Sequence, residues 1–229
     1  PTAQECTWSP QTVANNANLK DAGTPPTKDV PTAGTRPMTI TTDQGGPITA
    51  TLDLAKAPCA GASLAHLAGR QFFDNTKCHE ITTEGALRCG DPSGTGLGGP
   101  TYTFFNDPGA MPAPAPEPSA SAAPQPQPPA YRKGSIALIG APAGSNGSQF
   151  LIFVKDFSTA DPTYPIVGTV TGGLDVLDKI AKSPTVDNGA GAKVKPAKDI
   201  LVKTLTVGEP SGGAPATDPS AAPSASEQS

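Results

Sequence analysis

Apolar and polar residues alternate twice between positions 38 and 54. Met38, Ile40 and Thr42 precede Asp43-Gln44-Gly45-Gly46, and Ile48, Ala50, Leu52 and Leu54 follow it. A period of two around a Gly-rich connection predicts a β-hairpin. Leu64, Leu67 and Ala68 come next at helical spacing, with Gly69 near the end of a short helix. A second hairpin is expected across 77–89, and 134–140, 148–154 and 165–171 read as further strands. Leu174, Leu177, Ile180 and Ala181 fit one face of a second helix that stops before Pro184, and 200–207 is a closing β-branched strand. Many short strands with two helices predict a mainly β protein, a barrel or sandwich with helical caps. No internal repeat is visible.

Composition changes where this pattern can hold. The 229 residues include 28 Pro and 25 Gly, and nine of the prolines fall in 108–130. That stretch, and the Ser/Ala/Pro-rich 208–229, lack the large apolar side chains that offset the entropy of ordering a chain. The first reads as a semi-rigid insertion and the second as a disordered tail. With the extended lead-in 1–36 also set aside, 148 residues remain in 37–107 and 131–207, enough for one domain. The net charge is −4 with only 16 Lys and Arg, which argues against nucleic acid as a partner. No apolar run approaches the ~18–20 residues of a membrane-spanning helix.

Cys6, Cys59, Cys78 and Cys89 form an even set without a C-x-x-C pair, which fits two disulfides better than zinc. With the Ser/Ala/Pro tail, this favours an extracytoplasmic protein, secreted or membrane-anchored through an upstream segment; four buried thiols in a cytosolic protein are the alternative. His66 and His79 are the only histidines and no acidic cluster accompanies them, so neither a metal site nor a cofactor is expected. Ser145 and Ser148 lack a base partner. The glycines of 94–99 lack the Lys and following helix of a phosphate loop. Trp8, beside Cys6, reads as an apolar anchor for the lead-in.

Three groups of residues carry a resemblance. Phe72-Phe73-Asp74-Asn75-Thr76 leads to Cys78-His79-Glu80 and then to Cys89-Gly90-Asp91-Pro92-Ser93-Gly94-Thr95-Gly96. Downstream stand Ser145-Asn146-Gly147-Ser148-Gln149-Phe150-Leu151, and then 164–168 and 173–180. In this order they resemble the cyclophilins, whose runs are F-Y-D-G-T, F-H-R, G-G-D-P-T-G-T-G and T-N-G-S-Q-F-F. The match covers about 38–207 apart from the Pro-rich insertion, and the Ala-Pro-Cys and Cys-His pairs look most like exported actinobacterial members. The resemblance implies a closed eight-stranded antiparallel β-barrel capped by two α-helices. It also implies peptidyl-prolyl cis-trans isomerase activity on proline-containing peptides or unfolded secreted proteins, and a monomer.

Rotation about an X–Pro bond is slow because amide resonance resists leaving the plane; an ordinary peptide bond resists by ~18–20 kcal/mol. A catalyst must favour the twisted amide. The resemblance implies that an Arg donates towards the prolyl nitrogen, that Gln and Asn hold the substrate backbone, and that Phe, Met, Phe and Leu surround the proline ring. Carried over by position, the Arg becomes Glu80, the adjoining Gln becomes Arg88, and a second Gln is kept as Gln149. The ring-binding Phe and Met become Gly85 and Ala86, and the second Phe becomes Leu151. The Asn becomes Gly140 with Ile139 before it, Phe150 is kept, and a His on the same face becomes Tyr164. An ionised Glu only accepts hydrogen bonds, so the resemblance implies weak or lost isomerase activity and weak or no cyclosporin binding. The alternative is a non-catalytic peptide- or protein-binding module at the cell surface.

Glu80 and Arg88 stand where the family's Arg and Gln are neighbours, so the two are expected to face each other across the 77–89 hairpin. Two readings stay open: an ordinary cross-strand ion pair, or an Arg88 that reaches into the groove with Glu80 orienting it. His79 matches a structural His. The Pro-rich insertion reads as a disordered surface loop, with occupation of the chain's own groove or a spacer at a cell surface as the alternatives. Four cysteines allow three connectivities; the hairpin topology favours Cys78–Cys89, which leaves Cys6–Cys59 to pin the lead-in to the first helix.

Overall fold

A computed structural model of the chain describes residues 2–116 and 126–212. Its main sheet consists of β1 (Thr35–Thr42), β2 (Ile48–Asp53), β3 (Thr76–Cys78), β4 (Glu80–Ile81), β5 (Ala86–Cys89), β6 (Ser135–Leu138), β7 (Phe150–Phe153), β8 (Ile166–Gly172) and β9 (Ile200–Val207). The order is β3-β9-β1-β2-β8-β6-β7-β5-β4, and every pairing is antiparallel. The two ends of this order, β3 and β4, are halves of one strand interrupted at His79. The expected eight-stranded barrel is therefore a nearly closed sheet of nine hydrogen-bonded segments. One half-strand pairs with β9 and the other with β5. Cys78 and Cys89 end β3 and β5, and their disulfide joins the barrel across the break.

Two helices cap the barrel. α1 (Pro58–Gly69) opens with Pro at its first turn, and its own N-cap, Ala57, offers no side chain to the free N–H groups. Asp107, distant in sequence, accepts from the N–H of Cys59 at 3.1 Å and of Ala60 at 2.9 Å. A carboxylate there meets both the unpaired donors and the positive end of the helix dipole. α2 (Leu174–Ala181) follows Gly173, whose φ of 82° is the left-handed conformation that turns β8 into the helix. Its buried face is Val176, Leu177 and Ile180. Leu174 and Ala181, expected on that face, are exposed: the arc against the barrel centres between Ile180 and Leu177, and both residues fall past its edge.

The lead-in is more structured than an extended arm. Ala3–Gln4 pairs with Val30–Pro31, Ser9–Pro10 pairs with the strand Tyr102–Phe105, and Leu19–Lys20 runs parallel to Gly99–Pro100. Trp8 packs edge-on against Tyr102 and Phe104 at 5.4 and 5.3 Å, which fits its reading as an anchor. Cys6 is bonded to Cys59, and His66 Nε2 lies 2.8 Å from the Ala22 carbonyl. Both expected disulfides are therefore formed. Residues 117–125 of the Pro-rich insertion and 213–229 of the tail lie outside the described residues.

Successive side chains of a strand point to opposite faces, and the barrel uses this to build two apolar clusters. Leu87, Cys89, Ile136, Leu138, Phe150 and Ile152 point into the barrel core. Ala86, Ala137, Leu151 and Phe153, from the same strands, meet Tyr131, Phe157 and Tyr164 in a second cluster on the outside.

Candidate functional site

The hairpin register sets Glu80 opposite Arg88, and the next pairing sets Leu151 opposite Arg88. Arg88 Nη1 donates to Glu80 Oε2 at 3.2 Å, Nε to Gln149 Oε1 at 2.8 Å, and Nη2 to the Gly96 carbonyl at 3.4 Å. Glu80 and Arg88 face each other as expected, with side chains 25 % and 21 % exposed. Gln149 is fully engaged. Its oxygen accepts from Arg88, and its amide donates to the carbonyls of Gly96 and Gly98 at 2.9 and 3.0 Å.

The loop supplying those carbonyls is built around Asp91, which is fully buried. Its two oxygens accept from the Ser93 N–H and hydroxyl and from the N–H groups of Gly96 and Gly98. Burial alone would raise its pKa; the Ser93 hydroxyl and these three backbone donors outweigh burial and hold it below the usual carboxylate range. The Gly98 position is tight, since a Cβ there would stand 1.9 Å from Asp91 Oδ1. The loop's amides thus already enclose an anion of the protein itself, which is why the glycine run does not work as a phosphate cradle.

Two cavities meet at Arg88. The first, of about 650 Å³, lies between the loop and the hairpin Thr185–Asp187/Lys193–Pro196, and His79, Glu80, Leu97 and Lys195 contribute to its lining. Both ring nitrogens of His79 are buried without a hydrogen-bond partner among the described residues. Burial first, and the Arg88 charge second, bring its pKa down to about 4, so the imidazole is neutral at pH 7. The second cavity, of about 480 Å³, is lined by Ile139, Gly140, Gln149 and the loop on the barrel side, and by Gln11, Thr12, Asn15, Asn16 and Leu19 of the lead-in on the other.

The remaining residues singled out in the sequence are placed as follows. Ala86, Leu151 and Phe150 are buried, with at most 1 % of each exposed, the first two in the outer cluster and Phe150 in the core. Gly85 is buried at φ 84°, and the aliphatic part of Lys155 crosses the space where a side chain would stand. At Gly140 a Cβ would meet the Ser145 carbonyl oxygen at 1.8 Å, so the backbone of the 140–145 loop occupies the place of any side chain. Tyr164 is half-buried, held by its backbone: Tyr131 Oη donates to its carbonyl at 2.9 Å and accepts from its N–H at 2.8 Å. Ser148 donates to the Gly90 carbonyl. The sequence reading missed Asp91, Tyr131 and the lead-in wall; the fixed spacing of Asp91 to the following glycines was the only local signal among them.

A family model described as cyclophilin type peptidyl-prolyl cis-trans isomerase/CLD matches residues 37–207. The chain belongs to this family. Among curated relatives, the "Probable peptidyl-prolyl cis-trans isomerase B" of Mycobacterium leprae is 37 % identical over 179 residues, covering 75 % of this chain and 58 % of that protein. The protein of the same name from Mycobacterium tuberculosis is 35 % identical over 192 residues, covering 82 % of this chain and 59 % of its own length. The chain therefore spans less than two thirds of these cyclophilin-type relatives. Among solved structures, a cyclophilin-type peptidyl-prolyl cis-trans isomerase of Cryptosporidium parvum superimposes with a TM-score of 0.60 at 23 % identity, over 76 % of this chain and 98 % of that one. A second crystal structure of that protein, in the presence of dipeptide Ala-Pro, gives 0.56 at 22 % identity. At these identities the likeness shows the cyclophilin fold alone.

Proposed function

We propose that this cyclophilin-type chain binds proline-containing segments of proteins outside the cytoplasm, and that its isomerase chemistry is weak or lost. The observation that carries this reading is the binding state of Arg88. Its guanidinium is already committed to Glu80, Gln149 and Gly96. The twisted amide needs a donor that is stronger towards it than towards the planar one. Glu80 can only accept, and it draws the neighbouring cation to itself. Gln149, whose amide is spent on the loop, has no donor left for a substrate backbone. What remains for a peptide is the relief around Arg88, Ile139 and the 139–141 backbone, with Tyr164 half-buried beside it. The cyclophilin structure studied with dipeptide Ala-Pro supports proline-containing peptides as the ligand class. The two disulfides suit an oxidising compartment, and no described helix is long and apolar enough to cross a membrane.

The test is cis/trans exchange of a short Ala-Pro peptide by NMR, with the unmutated protein, Glu80→Arg and Arg88→Ala. One well-placed electrostatic donor is worth ~10²–10³ in rate. The unmutated protein is expected to fall short of Glu80→Arg by about that factor while still broadening the peptide's resonances on binding. A fast unmutated rate that Arg88→Ala abolishes would show instead that Arg88 has taken over the donor's role, and would overturn the reading of lost chemistry.

A further inference from the structure

The second cavity has an outer wall that the family domain does not supply. The family model begins at residue 37, whereas Gln11, Thr12, Asn15, Asn16 and Leu19 line the cavity from the lead-in. This wall is built rather than draped. Its two ends are paired to the segment 99–105 outside the main sheet, Ser9–Pro10 against Tyr102–Thr103 and Leu19–Lys20 against Gly99–Pro100. Between them Asn16 Nδ2 donates to the Leu97 carbonyl at 2.8 Å, while Asn16 Oδ1 accepts from the Asn18 backbone and side chain. The Asn15 and Asn16 N–H groups both donate to the Thr12 carbonyl, closing a turn. Upstream, Trp8 and the Cys6–Cys59 disulfide tie the strap to the Tyr102 strand and to α1.

The wall's side chains differ in what they have left. Asn16 is spent on the loop and on its own turn. Gln11 Nε2 donates to Thr103 Oγ1 at 3.4 Å, leaving its oxygen. Thr12 and Asn15 make no side-chain hydrogen bond among the described residues, and both are exposed at the cavity. The strap residues lining the cavity thus present amides and a hydroxyl with no charge, and Leu19 adds one apolar side chain at the far end of the strap. The opposite wall combines loop backbone at Gly98–Pro100, Gly140 and Gly147 with the apolar side chains of Leu97 and Ile139. At the inner end stands Arg88, its charge matched by Glu80.

We infer that the strap 11–19 is a specificity-determining element: it forms a subsite beside the proline-binding relief that selects, at a substrate residue flanking the proline, an uncharged hydrogen-bonding side chain such as Asn or Gln. This rests on the reading that the site binds proline-containing peptides. Thr12 and Asn15 make the selective contacts, and Asn16 is a positioning residue that holds the strap against the loop.

Two Ala-Pro peptides that differ only in a flanking Asn or Leu test this, by NMR titration of the full chain. A neutral hydrogen bond contributes about 0.5–1.5 kcal/mol, so the Asn peptide is expected to bind roughly threefold to tenfold tighter. The double variant Thr12→Ala/Asn15→Ala, altered only at exposed side chains, is expected to bring the two affinities together. Asn16→Ala is expected to reduce the preference and to shift the amide resonances of Leu97 and Gly98. A preference that survives the double variant, or an unmutated protein that binds both peptides equally, overturns the proposal and leaves the peptide-binding reading standing. Binding of neither peptide to the unmutated protein overturns both.

Discussion

The β1–β2 hairpin and the β5–β7–β6 ledge belong to one sheet and bury their strands in different ways. Along β2, buried and part-exposed residues alternate without exception, Ile48, Ala50 and Leu52 inward against Thr49, Thr51 and Asp53 outward. Along β6 and β7 every residue is buried. The difference lies outside the barrel. Tyr131 stacks on Phe153 with centroids 4.6 Å apart, and Phe157 and Tyr164 extend the layer, so the outer face of these strands has a core of its own. The ledge holds Arg88 at its margin, opposite Glu80 and Leu151, and the bonds to Glu80 and Gln149 set where the guanidinium points. A site on a strand buried on both faces is held more firmly than one on a strand with a wet face.

The sharpest way to break this comparison is to remove the outer layer. Phe153→Ala is expected to cost about 3–5 kcal/mol of unfolding free energy, as much as a core truncation. Denaturant unfolding should also show Ile152→Ala, which points inward from the next position, costing about 2–5 kcal/mol. An outer-layer cost below ~1 kcal/mol would mean that the ledge is surface and not core.

The next effect is on pH. His79, on the broken strand beside Arg88, titrates at about 4 in the fold, against about 6.5 when unfolded. Between those values the unfolded chain binds the proton first, so stability falls as pH drops from about 6.5 to about 4, by on the order of 3 kcal/mol, and this contribution is complete above 6.5. His79→Gln should flatten that part of a stability–pH profile. An unchanged profile would show that the imidazole reaches a partner when charged.

The smallest effect concerns the Glu80–Arg88 pair. At 25 % and 21 % side-chain exposure, a double-mutant cycle on stability is expected to give about 0.5–1 kcal/mol. A much larger coupling would indicate that Gln149 and the Asp91 loop collapse with the pair.

How far the sequence could be read follows from the same contrast. The β1–β2 alternation made that hairpin legible, and the G-D-P-x-G-T-G and N-G-S-Q-F runs made the family legible. The continuous apolar run Phe150–Phe153 identified a strand but not which of its residues face the core and which the ledge, because hydropathy is the same on both sides. The positions of Glu80, Arg88 and Gln149 could be picked out by resemblance. That Gln149 is saturated by the loop, and that Asp91 already fills the cradle of glycine amides, could not.

By itself the sequence determined the strands of the main sheet and the two helical caps, since periodicity, glycine spacing and residue type are properties of neighbours along the chain. The tertiary structure alone decided that β3 and β4 are one strand split at His79, that Asp107 caps a helix begun some fifty residues earlier, and that residues 11–19 wall the second cavity. Each of these joins groups far apart in sequence. The contact forms only once the barrel has brought its partner within hydrogen-bonding or packing distance, so no local pattern of residues encodes it.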